Sequence, residues 1–203
     1  MGYYIRVLGT SDPDIPINYL VTALESDGLT AELRLDGNET PESWTVLDVA
    51  DMKGEMLFRI ERNPVIEGSL GKEELNEFRE EISECKPPSA AKWLAKYFDR
   101  IEVIYAFQLL DASMQDESFP IVSSVKTAIW KKIGGILQAD NEGFSNEDGY
   151  HILWQFDDDV AGEWNMAVKT FLGNWTTFSM DLGNPEHRKA FKSGKVPATA
   201  SRL

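Results

Sequence analysis

The side chains best suited to covalent chemistry in this sequence are one cysteine and two histidines. Cys85 is the single cysteine, and His151 and His187 are the two histidines. A thiolate with a histidine base would form a nucleophilic centre. Cys85, however, ends a predicted helix beside Glu81 and Glu84, and both the helix dipole and the carboxylates disfavour a thiolate. We therefore expect a structural cysteine, and ordinary surface or edge positions for both histidines.

Carboxylates at the ends of predicted strands are the second group able to do chemistry. They are Asp111, Asp116, Glu117, Asp140, Glu142, Asp148 and Asp157 to Asp159. Hard cations prefer such clustered oxygens. A calcium loop starting at Asp140 does not fit, because Gly143 takes its fourth position and no glutamate occupies its twelfth. The sequence predicts no metal and no other cofactor, and these carboxylates are expected to be solvated turn residues.

Recognisable catalytic and phosphate-binding motifs are missing from the sequence. Neither a GxGxxG run, a Walker pattern nor a GxSxG elbow occurs. Gly134 and Gly135 lie at the end of a predicted helix instead of preceding one, so they do not form a phosphate-binding loop. The sequence therefore gives no positive indication of an enzyme.

Tryptophan is frequent, with six residues, and this side chain is favoured in protein interfaces. Trp164 and Trp175 flank residues 165–174, for which the pattern predicts no conformation. Together with Asp157, Asp158 and Asp159 they are the candidate partner-binding residues. Packing of the two indoles beneath the last helix is the alternative.

The net charge of the chain restricts its partners. It has 34 acidic and 20 basic residues, which gives a formal charge of -14. The negative field of such a chain repels nucleic acid and anionic membranes. We therefore expect neither of these as a partner, and we expect a basic protein as the partner instead. Residues 185–203 carry five lysines or arginines against Glu186 alone; this basic tail either docks on the acidic body or stays solvated.

A reducing cytoplasm is the expected compartment. Cys85 has no second cysteine with which to form an intramolecular disulfide. The first residues indicate a strand rather than a secretory signal, and no window approaches the roughly 18 to 20 apolar residues of a membrane-spanning helix.

Hydrophobic periodicity and turn residues predict the elements that position these side chains. In the first part of the chain we expect strands at 3–8, 31–35, 44–49 and 56–60, and helices at 15–26, 72–84 and 88–98. In the second part we expect strands at 101–110, 137–144, 150–156 and 176–182, and helices at 120–136 and 185–194. Residues after Gly194 are expected to be frayed.

This order predicts an α+β fold with two similar strand-helix-three-strand-helix halves, 1–86 and 87–203. The sheet or sheets should be largely antiparallel, with helices packed on one face, and the halves should form one compact unit. The repeated order suggests an internal duplication, although no residue-level similarity between the halves supports it.

Three functions remain open at this point. The first is a non-catalytic protein-binding or regulatory module, for example of a toxin-neutralising type, with a basic partner. The alternative is a hydrolase dependent on carboxylates or a divalent cation, in which Asp111 and Asp157 to Asp159 meet at neighbouring strand ends. The third is a homo-oligomeric structural protein, and the chain is expected to be a monomer or a homodimer.

Overall fold

The computed structural model describes residues 2–203, which contain five α-helices and eleven β-strands. The helices are α1 (Ile17–Ser26), α2 (Leu70–Glu81), α3 (Pro88–Tyr97), α4 (Phe119–Ile133) and α5 (Pro185–Lys192). The strands are β1 (Tyr3–Gly9), β2 (Glu32–Leu35), β3 (Val46–Ala50), β4 (Met56–Pro64), β5 (Val103–Leu109), β6 (Ile136–Ala139), β7 (Gly143–Ser145), β8 (His151–Trp154), β9 (Glu163–Lys169), β10 (Trp175–Asp181) and β11 (Ser201–Arg202). The strands are mostly antiparallel, so the α+β fold class is confirmed.

The chain divides into two compact units, each built from two segments. The first unit contains the residues up to Lys72 together with Ile101–Gly135, and the second contains Glu73–Arg100 and Ile136–Leu203. The internal duplication suggested by the element order is not confirmed. The division of the chain into 1–86 and 87–203 stays a prediction.

The first unit is an antiparallel sheet in the order β1-β5-β4-β3-β2. Strand β5, which lies between β1 and β4, has the sequence VIYAFQL, and all of its residues except Gln108 are buried. A strand enclosed on both faces needs such a nearly continuous apolar run, because both sets of alternating side chains meet the protein interior. On α4, which packs against α1 and β1, the buried residues include Val122, Val125 and Ile129.

The second unit has the strand order β11-β10-β9-β8-β7-β6. All its pairs are antiparallel except β8 with β9, which pair in parallel through His151 and Met166. Its apolar core is one cluster, whose buried members are Trp154, Phe156, Met166, Val168, Phe178, Met180, Leu182 and Phe191. Alternate residues of β10 enter this core, as its predicted two-residue periodicity requires.

Apart from shifts of a few residues at the ends of elements, three local predictions differ from the structure. The strand expected at 137–144 is two strands, β6 and β7, because the chain turns between them at Asn141, where φ is 60°. Residues 165–174, for which no conformation was predicted, contain most of β9 and a hairpin loop. The residues after Gly194 are not frayed, because β11 pairs with β10 and places Arg202 opposite Phe178.

Within residues 2–203, no helix combines the length and the apolar character needed to cross a membrane.

Candidate protein-interaction surface

Cys85 is held in a setting that protects its thiol. The side chain is half-buried, and its thiol donates to the backbone oxygen of Glu81 at 3.3 Å. Burial raises the pKa of the Cys85 thiol; the hydrogen bond from Gln155 opposes this, while the nearby carboxylates of Glu81 and Glu84 add to it. A nucleophilic cysteine needs a lowered pKa, so this geometry does not favour a thiolate.

Both histidines are buried, and the expectation of surface or edge positions is wrong. His151 is only 2% exposed because all four residues of β8 are enclosed. Its ring packs against Phe156, with the centroids 4.7 Å apart, and its Nε2 has no hydrogen-bond partner among residues 2–203. His187 accepts a hydrogen bond at Nδ1 from the backbone N–H of Asp181, and its Nε2 lies 2.7 Å from Oγ1 of Thr199.

The carboxylates do not assemble a metal site in the described part of the chain. Among residues 2–203, no group of three or more His, Cys, Asp or Glu side chains is placed to hold an ion. Asp111 belongs to the first unit, whereas Asp157 to Asp159 belong to the second.

Where the pKa of a carboxyl group is clearly shifted, it is lowered from its usual value. The hydrogen bond from Arg62 lowers the pKa of Asp14, and the hydrogen bond from Arg34 lowers that of Glu32. For Glu39, burial acts in the raising direction, but hydrogen bonds from Thr45 and the backbone of Val46 prevail and lower the pKa. A general acid at neutral pH needs the opposite shift, so these groups give no support to the hydrolase alternative.

The loop carrying Asp157, Asp158 and Asp159 joins β8 to β9, and all three side chains are exposed. Its backbone is fixed by Arg188 of α5, whose guanidinium donates to the carbonyl oxygens of Asp158 and Val160. The three carboxylates therefore project from an anchored loop, and their role in binding a partner stays a prediction.

Trp164 and Trp175 lie at opposite ends of the β9–β10 hairpin. Trp164 faces Met180 in the strand register, and its ring packs against Phe156 at a centroid distance of 4.8 Å. Trp175 faces Lys169, next to the loop that joins the two strands. The structure thus places Trp164 against core residues and Trp175 beside the hairpin loop, and does not join them in one patch.

The loop of this hairpin exposes two large apolar side chains that sequence reasoning missed. Phe171 is fully exposed, and Leu172 is 85% exposed. The loop itself is ordered by hydrogen bonds: the N–H of Thr170 donates to the carbonyl of Asn174, and the N–H of Gly173 to that of Thr170. Gly173 has φ of 88°, which glycine adopts readily. We call Phe171 and Leu172 the hairpin tip.

Two tryptophans form a right-angled surface beside this loop. The ring centroids of Trp93, from α3, and Trp175 are 5.1 Å apart, and their planes meet at 85°. The ammonium nitrogen of Lys169 lies 4.5 Å from the Trp175 centroid and 5.3 Å from the Trp93 centroid. Both indoles are half-buried. We call the Trp93 and Trp175 pair the indole corner.

A polar network supports the indole corner from α3. Tyr97 packs against Trp93 with centroids 4.7 Å apart, and its hydroxyl donates to Oε1 of Glu147 at 2.7 Å. Arg100 pairs with the same carboxylate at 3.5 Å and lies over the Tyr97 ring. Burial, and then the hydrogen bond to Glu147, raise the pKa of Tyr97, so this hydroxyl stays a donor.

Comparison with family models, with curated proteins and with solved structures finds no match to this chain. The chemistry of the surface itself is apolar at the hairpin tip, aromatic at the indole corner and cationic at Lys169. Groups of this kind bind other molecules through burial and cation–π contact.

Proposed function

We propose that this chain is a non-catalytic protein-binding module, of a regulatory or toxin-neutralising type, whose partner is a basic protein. The observation that carries the proposal is the hairpin tip. Exposed apolar patches on soluble proteins often mark binding sites. Phe171 and Leu172 are adjacent, large and open to water.

The shape of the tip supports a protein partner rather than a small ligand. Small molecules bind in concave pockets, whereas a projecting loop fills a concavity on another protein. Backbone hydrogen bonds among Thr170, Gly173 and Asn174 brace the loop. Binding therefore orders little additional backbone, which lowers the entropic cost of association.

The acidic face of α2 and its following turn supports a basic partner. Its exposed residues are Glu73, Glu77, Glu80, Glu81 and Glu84. Their spacing places them opposite the buried Leu75, Phe78 and Ile82, because α-helical positions three, four, seven and eight apart share one side. Together with the net charge of -14, this face would attract a basic protein and increase its association rate.

We expect the module to act in a reducing cytoplasm, as a monomer or a homodimer, and without nucleic acid or membrane partners. The free Cys85 and the negative charge support this setting.

Parallel affinity capture with three baits tests the proposal. The baits are the wild type, the tip variant Phe171→Ser/Leu172→Ser and a control variant, Ile66→Ser/Leu70→Ser, which removes another exposed apolar pair from the first unit. Basic proteins that bind the wild type and the control should be lost from the tip variant. The thermal unfolding midpoint of each bait checks that it is folded.

Binding of the purified captured protein gives the quantitative result. Burying a Phe or Leu side chain contributes about 1.5 to 3 kcal/mol, so the tip variant should weaken Kd by about a hundredfold or more. Equal binding to all three baits, or capture of acidic proteins only, would contradict the proposal.

Charge variants test the role of the acidic face separately. Glu77→Gln/Glu81→Gln/Glu84→Gln should lower the association rate constant and its dependence on salt, with little change in the dissociation rate constant, because long-range attraction acts before contact. An association rate that does not respond to salt would argue against a basic partner.

A further inference from the structure

The geometry points to a cation-binding site at the indole corner. In the free chain Lys169 occupies this site. When the basic partner binds, the alkylammonium group of one of its lysine side chains replaces Lys169 there. The source of the cation rests on the proposed function. The site itself rests on the positions of Trp93, Trp175 and Lys169.

The right angle between the two indoles makes the corner suited to a cation. A cation is attracted to the face of an aromatic ring within about 6 Å of its centroid, and tryptophan is the best such ring. The ammonium nitrogen of Lys169 satisfies this distance for Trp93 and for Trp175 at once. A corner that holds one ammonium group in this position has the shape and the electrostatics to hold another.

Lys169 is a replaceable occupant. Burial lowers its pKa, so the charged form is partly desolvated where it lies. Glu147 acts on Lys169 in the opposite direction, but this carboxylate already accepts a hydrogen bond from Tyr97 and pairs with Arg100. A lysine that rotates out of the corner regains its hydration, which offsets the lost contact with the rings. Its long side chain can rotate without backbone movement.

The hairpin tip brings a partner to this corner. Residues 170–174 connect Lys169 directly to Trp175, so a protein held by Phe171 and Leu172 lies beside the two indoles. A basic protein carries lysines at its surface, and one of them can enter the corner as Lys169 leaves it. Trp93 and Trp175 are only half-buried, so each residue keeps part of its surface in contact with solvent.

A pair of small probes that differ in charge tests the site without any partner. Choline carries a quaternary ammonium group, and 3,3-dimethylbutan-1-ol is its neutral analogue of the same shape. Binding is followed by the indole N–H signals in NMR spectra, assigned with Trp93→Leu and Trp175→Leu. In the variant Lys169→Ala, choline should bind at least about tenfold more tightly than in the wild type, and the neutral alcohol should not gain affinity.

Two further variants test whether a gain in choline binding comes from the indole corner or from the removal of any surface lysine. Lys192 lies over the single indole of Trp154 at 4.6 Å, so Lys192→Ala is a matched control that should not gain choline binding. Adding Trp175→Leu to Lys169→Ala should abolish the gain, with the unfolding midpoint confirming a folded chain. Equal binding of both probes, or no gain with Lys169→Ala, would overturn the proposal.

The partner experiment distinguishes the source of the cation. With the purified basic partner, Lys169→Ala should preserve or strengthen binding, whereas Trp175→Leu should weaken it about tenfold or more. Choline binding without any effect of Trp175→Leu on the partner would show a site for a small alkylammonium ligand only, and would overturn the assignment to a partner lysine. Choline binding to the indole corner does not depend on the hairpin tip. If choline does not bind as expected, the proposed function is therefore not contradicted.

Discussion

His151 is a residue whose protonation is coupled to folding. Burial lowers its pKa from 6.5 to about 4, and hydrogen bonds with the backbone of Leu153 and Glu142 oppose this only in part. Since the pKa is lower in the folded state than in the unfolded state, protonation favours unfolding. The contribution of neutral His151 to stability is complete above pH 6.5 and is lost as the pH falls from 6.5 towards 4.

The variant His151→Leu should reduce this dependence on pH. A pKa difference of one unit corresponds to about 1.4 kcal/mol, so between pH 7 and pH 5 the wild type should lose about 2 kcal/mol more unfolding free energy than the variant. Urea unfolding at both pH values measures the difference. Parallel profiles for the two proteins would mean that His151 takes up its proton in the folded state as easily as in the unfolded chain.

The burial of His151 could not be predicted from its neighbours in sequence. The strand predicted at 150–156 is shorter in the structure, where β8 spans His151–Trp154, and the ring of His151 packs against Trp164 and Phe156. Trp164 lies on β9, which pairs in parallel with β8 through Met166. Such pairing is set by contacts between distant residues, and no local pattern records it.

At the scale of elements, the start of α5 was predicted correctly from its local sequence alone. The sequence Asn184-Pro185-Glu186 predicts a cap, a first-turn proline and a first-turn acid. In the structure, Oδ1 of Asn184 accepts hydrogen bonds from the N–H groups of Glu186 at 2.9 Å and His187 at 3.4 Å. These two N–H groups have no partner within the helix, so the cap satisfies donors that would otherwise be unpaired.

Replacing this cap should have a moderate and specific cost. Asn184→Ala should lower the free energy of unfolding by about 1 kcal/mol, whereas Asn184→Asp, which keeps the acceptor, should change it little. Chemical denaturation of the two variants and the wild type gives the comparison. An equal loss in both variants would show that the amide group of Asn184, rather than its capping oxygen, stabilises the helix start.

Elements whose signals are local were predicted, whereas those set by tertiary pairing were not. The apolar run of β5 and the periodicity of α4 were sufficient, because burial alone determines their pattern. The two-residue strand β11 depends on the edge of β10, and its sequence carries no strand pattern. The hairpin tip was missed for a related reason: apolar residues normally predict burial, and Phe171 and Leu172 are exposed.

At the scale of the whole molecule, the excess of carboxylates should act on the stability of the fold. Like charges repel one another in the compact state, which destabilises it. Ion pairs such as Arg62 with Asp12 and Asp14, at 2.8 Å each, oppose this locally. With 34 acidic against 20 basic residues, unpaired negative charges remain in excess.

Added salt should therefore stabilise this protein. Raising the ionic strength from about 0.01 M to about 0.15 M shortens the screening length from about 30 Å to about 8 Å, which weakens repulsion across the surface more than it weakens the close Arg62 pairs. The unfolding midpoint should rise by several degrees, and the rise should be smaller in Glu77→Gln/Glu81→Gln, which removes two negative charges from α2. A midpoint that falls with salt would mean that ion pairs, and not repulsion among carboxylates, dominate the electrostatic part of stability. That outcome would also weaken the case for the acidic surface as an attractor of a basic partner, because its charges would then be largely neutralised within the chain.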